Sequence, residues 1–229
     1  MSERSAKPDN SANPEPVQIA ARLSRLYLDS LRAADIPGAY RVASKALARG
    51  MGFPELYQQV ITPAMHRIGE LWERGAITVA DEHLATGVTQ RVLGALRPPV
   101  RVDCNTGGPG APGRKAMLAA VQGEQHALGL RMAADIVEDA GFHAIYLGAD
   151  VPTGALLQTV ASLSPDLVAL SATMPDLAPR LEEIAISISS AYPGVDLLLG
   201  GQAAPSRPVV GAVVQDFEAL PAWLEREPG

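Results

Sequence analysis

Two short stretches of the 229-residue chain combine residue types and spacings suited to chemistry. The first is Gly123-Glu124-Gln125-His126-Ala127-Leu128-Gly129. A neutral imidazole is a good transition-metal ligand. Its second ring nitrogen needs an acceptor that fixes tautomer and orientation. Glu124 stands two residues before His126 and can reach it. Alone, this pattern is weak, since a loop histidine is more often a polar surface residue. The spacing that follows gives it weight. From Gly129, 41 residues lead to Ser171-Ala172-Thr173, and a further 26 lead to Gly200-Gly201. In the second stretch, Trp72 is followed by nine residues and then Glu82-His83. A flat indole packs on a planar partner, and the acid and imidazole offer hydrogen bonds.

Helices and strands must position these groups. Residues 1–16 are polar and proline-rich without periodicity, which predicts a disordered tail. Over 17–97 the apolar residues recur at helical spacing. Ile19, Leu23, Leu26, Tyr27 and Leu31 mark one helix, and a short one runs from Pro37 to Gly50. Leu56, Val60, Ala64, Ile68, Leu71 and Trp72 mark a third, ending at Gly75. Pro63 inside it should kink it or remove a hydrogen bond. Thr78 with Asp81 resembles an N-cap pair opening the fourth, which carries Leu84, Val88, Val92 and Leu96. Four helices with short connections predict an antiparallel bundle.

Residues 98–114 are rich in Pro and Gly, and the apolar period changes across them, so they are expected to form a linker. From 115 to 229, apolar runs alternate with helical stretches. The runs are Ala116–Val121, His143–Leu147, Leu167–Ser171, Val195–Leu199 and Val209–Val214. That alternation predicts an α/β, doubly wound parallel sheet, whose ligand lies beyond the strands' carboxyl ends. Between Gly201 and Val209 the segment is too short for a full crossover helix.

Composition narrows the classes. Hydrophobic residues make up 47% and charged residues 19%, enough for a packed core. Net charge is −6, and only three of the 19 basic residues are lysines, so the clustered basic footprint of direct nucleic-acid binding is missing. No apolar run reaches membrane-spanning length. The N-terminus lacks an apolar signal core. The single Cys104 excludes an internal disulfide. A cytoplasmic location is expected.

The spaced motifs resemble those of the cobalamin-binding domain shared by methionine synthase, corrinoid methyltransferase subunits and corrinoid-dependent mutases. In that family Asp-x-His-x-x-Gly, Ser-x-Leu and Gly-Gly follow at matching intervals. Here Glu124 replaces the aspartate and Thr173 the leucine. Leu147-Gly148-Ala149-Asp150-Val151-Pro152 is also similar to the family's second strand and loop. The resemblance implies a Rossmann-like, flavodoxin-like domain over 115–229. It makes His126 the lower cobalt ligand, held by Glu124. Gly129, Gly200 and Gly201 would let backbone approach the cofactor's tail, and Ser171 and Thr173 would offer hydroxyls.

A helical bundle ahead of such a domain is the family's cap over the upper corrin face. Trp72 with Glu82-His83 resembles the cap motif of CarH-type cobalamin photoreceptors, which bind adenosylcobalamin in the dark and lose its adenosyl group in light. By that resemblance Trp72, Glu82 and His83 cover the upper face. The histidine that can follow the tryptophan in those receptors is Glu73 here. His66, six residues before Trp72, is expected away from that spot. The residues preceding the bundle are too few for the receptors' helix-turn-helix. The resemblance therefore implies a non-enzymatic, light-responsive transcription regulator that acts through a partner protein or self-association, without direct nucleic-acid or membrane contact. The alternative is a corrinoid carrier for methyl transfer, working with methylcobalamin.

Overall fold

A computed structural model describes residues 16–97 and 113–226. The expected tail and most of the expected linker lie outside them. Helix α1 (Pro16–Arg32) leads into α2 (Ile36–Ala48), where the Asp35 carboxylate accepts the Gly38 N–H at 2.8 Å. Helix α3 (Phe53–Leu56) runs through a π turn (Tyr57–Ile61) into α4 (Thr62–Glu73). That wider turn comes directly before Thr62-Pro63, so the helix passes the proline through a π turn instead of breaking there. Gly75 closes α4 at φ +67°, and Ala76 N–H donates to Leu71 C=O at 2.8 Å. Helix α5 (Val79–Leu96) opens with a complete capping box between Thr78 and Asp81. Tyr27, Leu31, Leu56, Ile61, Ile68 and Leu93 are fully buried between these helices.

The second region alternates strands and helices. In chain order these are β1 (Lys115–Val121), α6 (Leu128–Asp139), β2 (His143–Val151), α7 (Thr153–Leu163) and β3 (Leu167–Ser171). A single 3₁₀ turn (Pro175–Leu177) leads into α8 (Ala178–Ala191), and β4 (Asp196–Gly200), β5 (Ala212–Val213) and α9 (Leu220–Leu224) follow. All paired strands are parallel, in the order β2-β1-β3-β4-β5. This is the flavodoxin-like order, with its switch point between β1 and β3. Strand β1 is buried on both faces: Met117, Ala119 and Val121 pack toward α7 and α8, while Ala116, Leu118 and Ala120 pack toward α6.

Two strands depart from the sequence reading. Strand β2 runs four residues beyond Leu147, because register shifts against β1 fit extra residues into it. The last strand shrinks to Ala212–Val213, and no helix intervenes between β4 and β5.

The bundle packs against the α6 and α9 face, sharing one apolar core with it. A polar junction fixes the contact. The buried Tyr57 hydroxyl donates to Asp135 Oδ2 at 2.9 Å, and Arg97 donates to Asp135 C=O and Asp139 Oδ1, both at 2.9 Å. Arg97 also pairs with Glu138. Burial raises the Asp135 carboxyl above its ordinary value, against the opposing pull of Tyr57, Arg131 and Arg97. Among the described residues, no helix is long and apolar enough to cross a membrane.

Candidate functional site

The end of β1 turns at Gly123, which adopts φ +95°. This turn drives the Glu124 side chain inward, and the residue is fully buried. A buried carboxylate is costly unless its lone pairs are engaged. Here they are. Oε1 accepts the His126 backbone N–H at 2.7 Å and faces its Nδ1 at 2.6 Å. Oε2 accepts the N–H groups of Thr173 at 2.5 Å and Met174 at 3.1 Å. Burial alone would raise the Glu124 carboxyl. The Thr173 and His126 N–H groups, the imidazole and the Met174 N–H outweigh it and hold the carboxyl below its ordinary value. An ionised Glu124 only accepts, so Nδ1 of His126 carries the proton. In the neutral ring, Nε2 then holds the free lone pair, on a side chain 61% exposed.

The other predicted residues gather around this corner. Ser171 is the last residue of β3, pairs in register with Gly200 and is buried. Thr173 engages Glu124 through its backbone N–H. Gly201 has φ +85°, and a Cβ there would stand 2.2 Å from Ala172 C=O. Its glycine is therefore required by the fold itself. At Gly129, in the first turn of α6, a Cβ would meet nothing within 4 Å, and at Gly200 only Val214 C=O at 3.6 Å.

The cap residues sit together at the α4–α5 turn. Trp72 is 47% exposed, and His83 is 75% exposed with its Nδ1 2.6 Å from Glu82 Oε2. Glu82 also accepts from the Thr86 hydroxyl at 2.9 Å. A further contact between bundle and sheet comes from His66. His66 Nε2 lies 3.4 Å from the Gln202 amide nitrogen, directly after Gly201. This sets α4 over the loop beyond β4. Trp72 follows about 9 Å further along the helix.

Sequence reasoning missed three neighbours. Tyr146 is part-exposed on β2, and its hydroxyl donates to Ala127 C=O at 3.2 Å. Met174 is exposed beside Thr173, and Gln202 faces the cap. Tyr146 lies within the apolar run His143–Leu147, and nothing in a linear pattern reveals the register shifts after it. Met174 and Gln202 directly follow predicted residues, which was the available signal.

Two sequence-family models, each described as a B12 binding domain, match residues 23–97 and 114–215. The chain belongs to the cobalamin-binding proteins that carry a helical cap ahead of a Rossmann-like domain. Over 186 residues it is 33% identical to the HTH-type transcriptional repressor CarH of Myxococcus xanthus, covering 80% of this chain and 58% of that protein. It is 28% identical over 137 residues to a trimethylamine corrinoid protein of Methanosarcina barkeri, covering 59% of this chain and 61% of the relative. The chain thus spans about three-fifths of the length of these curated relatives. The solved monomethylamine corrinoid protein of Methanosarcina barkeri shares the fold, with a TM-score of 0.69 at 17% identity over 91% of this chain and 98% of that one.

The corner fits a cobalamin. It offers an exposed imidazole with an oriented lone pair, a buried carboxylate fixing the tautomer, and open ground above Gly129.

Proposed function

We propose that the protein is a non-enzymatic, light-responsive regulatory sensor with adenosylcobalamin as chromophore. When bound, that cofactor supplies visible absorption and a photolabile cobalt–carbon bond. His126 Nε2 would hold the cobalt, while Glu124 keeps the Nδ1 proton in place. Trp72 would pack against the cofactor, and Glu82 and His83 would offer hydrogen bonds to its adenosyl group. A change in what Trp72, Glu82 and His83 hold would bias the seating of the bundle against the sheet, and with it an interface for a partner protein or a second copy.

The observation that carries this reading is the exposed Trp72 with Glu82-His83 at the α4–α5 turn. Similarity to a repressor over 80% of the chain supports it. Dark anaerobic reconstitution with adenosylcobalamin, followed by green illumination, tests it. A spectrum that changes on illumination is expected, and an unchanged one overturns the reading.

A second reading is a corrinoid carrier for methyl transfer, favoured by the trimethylamine corrinoid relatives. It expects methylcobalamin to bind at least as well as the adenosyl form, with methyl exchange in the dark. Exchange with a methyltransferase, without a light response, would establish it instead.

A further inference from the structure

We infer that Asp150 is the positioning residue that holds the Glu124–His126 loop in its ligating shape. The inference rests on the proposed role of His126 and extends it to a residue outside the motif.

Asp150 lies at the end of β2, where the register against β1 slips a second time, between the pairs Ala119–Gly148 and Val121–Val151. The extra residue forces the chain into an unusual shape, and Asp150 adopts φ +52°. Few side chains tolerate that region, and aspartate is among those that do. Strained backbone persists only where surrounding contacts over-determine it. Here those contacts reach the β1 loop from both sides. The Asp150 carboxylate accepts the Gly123 N–H at 2.7 Å, and its own N–H donates to Glu124 C=O at 2.8 Å.

The two bonds grip the peptide units on either side of the Gly123 turn. Gly123 sets the direction of Glu124, whose carboxylate in turn binds His126, Thr173 and Met174. Asp150 thus ties the end of β2 to that of β1, as Glu124 ties β1 to β3. Arg180 adds a third hold by donating to Gln122 C=O at 2.7 Å. Without the Asp150 carboxylate, Gly123 loses its acceptor and the turn that inserts Glu124 is free to rotate.

Three variants separate the carboxylate from the backbone shape. Asp150→Ala lacks the acceptor and resists positive φ. Asp150→Gly adopts positive φ freely but lacks the acceptor. Asp150→Asn keeps both an acceptor oxygen and tolerance of positive φ. Amide exchange at Gly123, Glu124 and His126 is read by NMR on the full chain without cobalamin. Exchange should quicken roughly tenfold in the alanine and glycine variants and return toward wild type in the asparagine variant. With hydroxocobalamin as probe, the first two should bind roughly tenfold more weakly and lose part of the histidine-ligated spectrum, and asparagine should rescue both. Wild-type protection in Asp150→Gly, or an unchanged loop in Asp150→Ala, overturns the inference. His126→Ala is run alongside. If its spectrum matches wild type, the cobalt-ligand reading fails, while amide exchange still decides the role of Asp150.

Discussion

On the proposed reading one corner lies below the cofactor and one above it, and the two differ in how much geometry the protein itself supplies. Below, Glu124 is fully buried and engaged by four nitrogens from two loops. Above, Trp72 and His83 stand exposed, and the Glu82–His83 pair joins adjacent residues on one helix. The lower corner is preorganised, so little reorganisation opposes ligation there. On the same reading the upper corner would gain its order from what it covers, which suits a surface that responds when that group leaves.

The contrast breaks most directly at His126. On the proposed reading, His126→Ala abolishes the histidine-ligated spectrum and weakens cobalamin binding by more than roughly a hundredfold, beyond the loss typical of an outer-shell change. Titration with absorption readout checks this. Gly201→Ala attacks the turn after β4 and leaves the His126 side chain in place. Positive φ and the clash with Ala172 should cost about 3 kcal/mol in a denaturant melt of cofactor-free protein.

The cap offers a contrast within itself, between its tight interior and its open rim. Burial pushes the Tyr27 hydroxyl up to about 12, only partly offset by its hydrogen bond to Thr89. The folded state therefore holds this proton more tightly than the unfolded chain, whose tyrosine titrates near 10. The stability this contributes is complete below pH 10 and is lost as pH rises toward 12. Stability melts across that window should show the decline, and Tyr27→Phe should lessen it, leaving the share of Tyr57 and Tyr146, whose hydroxyls burial also raises. At the rim, Trp72→Ala should change folding stability by no more than about 0.5 kcal/mol, while altering adenosyl selectivity or photochemistry. A large loss of stability would make Trp72 a core residue and erase the difference between the corners.

Local signals were legible in the sequence wherever one element settled the matter. The Thr78–Asp81 capping box needs only neighbours three residues apart, and the helical stripe of α1 needs only its own period. The glycine at 201 was legible as a motif but not by its cause. Its requirement is set by Ala172 on a neighbouring strand's loop. Thr173 was read for its hydroxyl, yet its backbone N–H makes the contact with Glu124, and backbone groups leave no trace in residue type. His66 was placed only by its separation from Trp72, six residues along one helix. Separation on one helix says nothing of what another region brings up to it, here Gln202. Strand β2 outran its apolar stretch because register shifts arise only on pairing.

The two margins of the sheet bear on assembly. One is formed by β2 with its slipped register, and the other by β5, which offers only Ala212 and Val213. Neither makes a long, flat template on which another chain's strand would add by backbone pairing. On the proposed reading, copies or partners that join this protein would engage side chains on its helices and loops, where the fit of one surface to another would change with small rotations of the bundle.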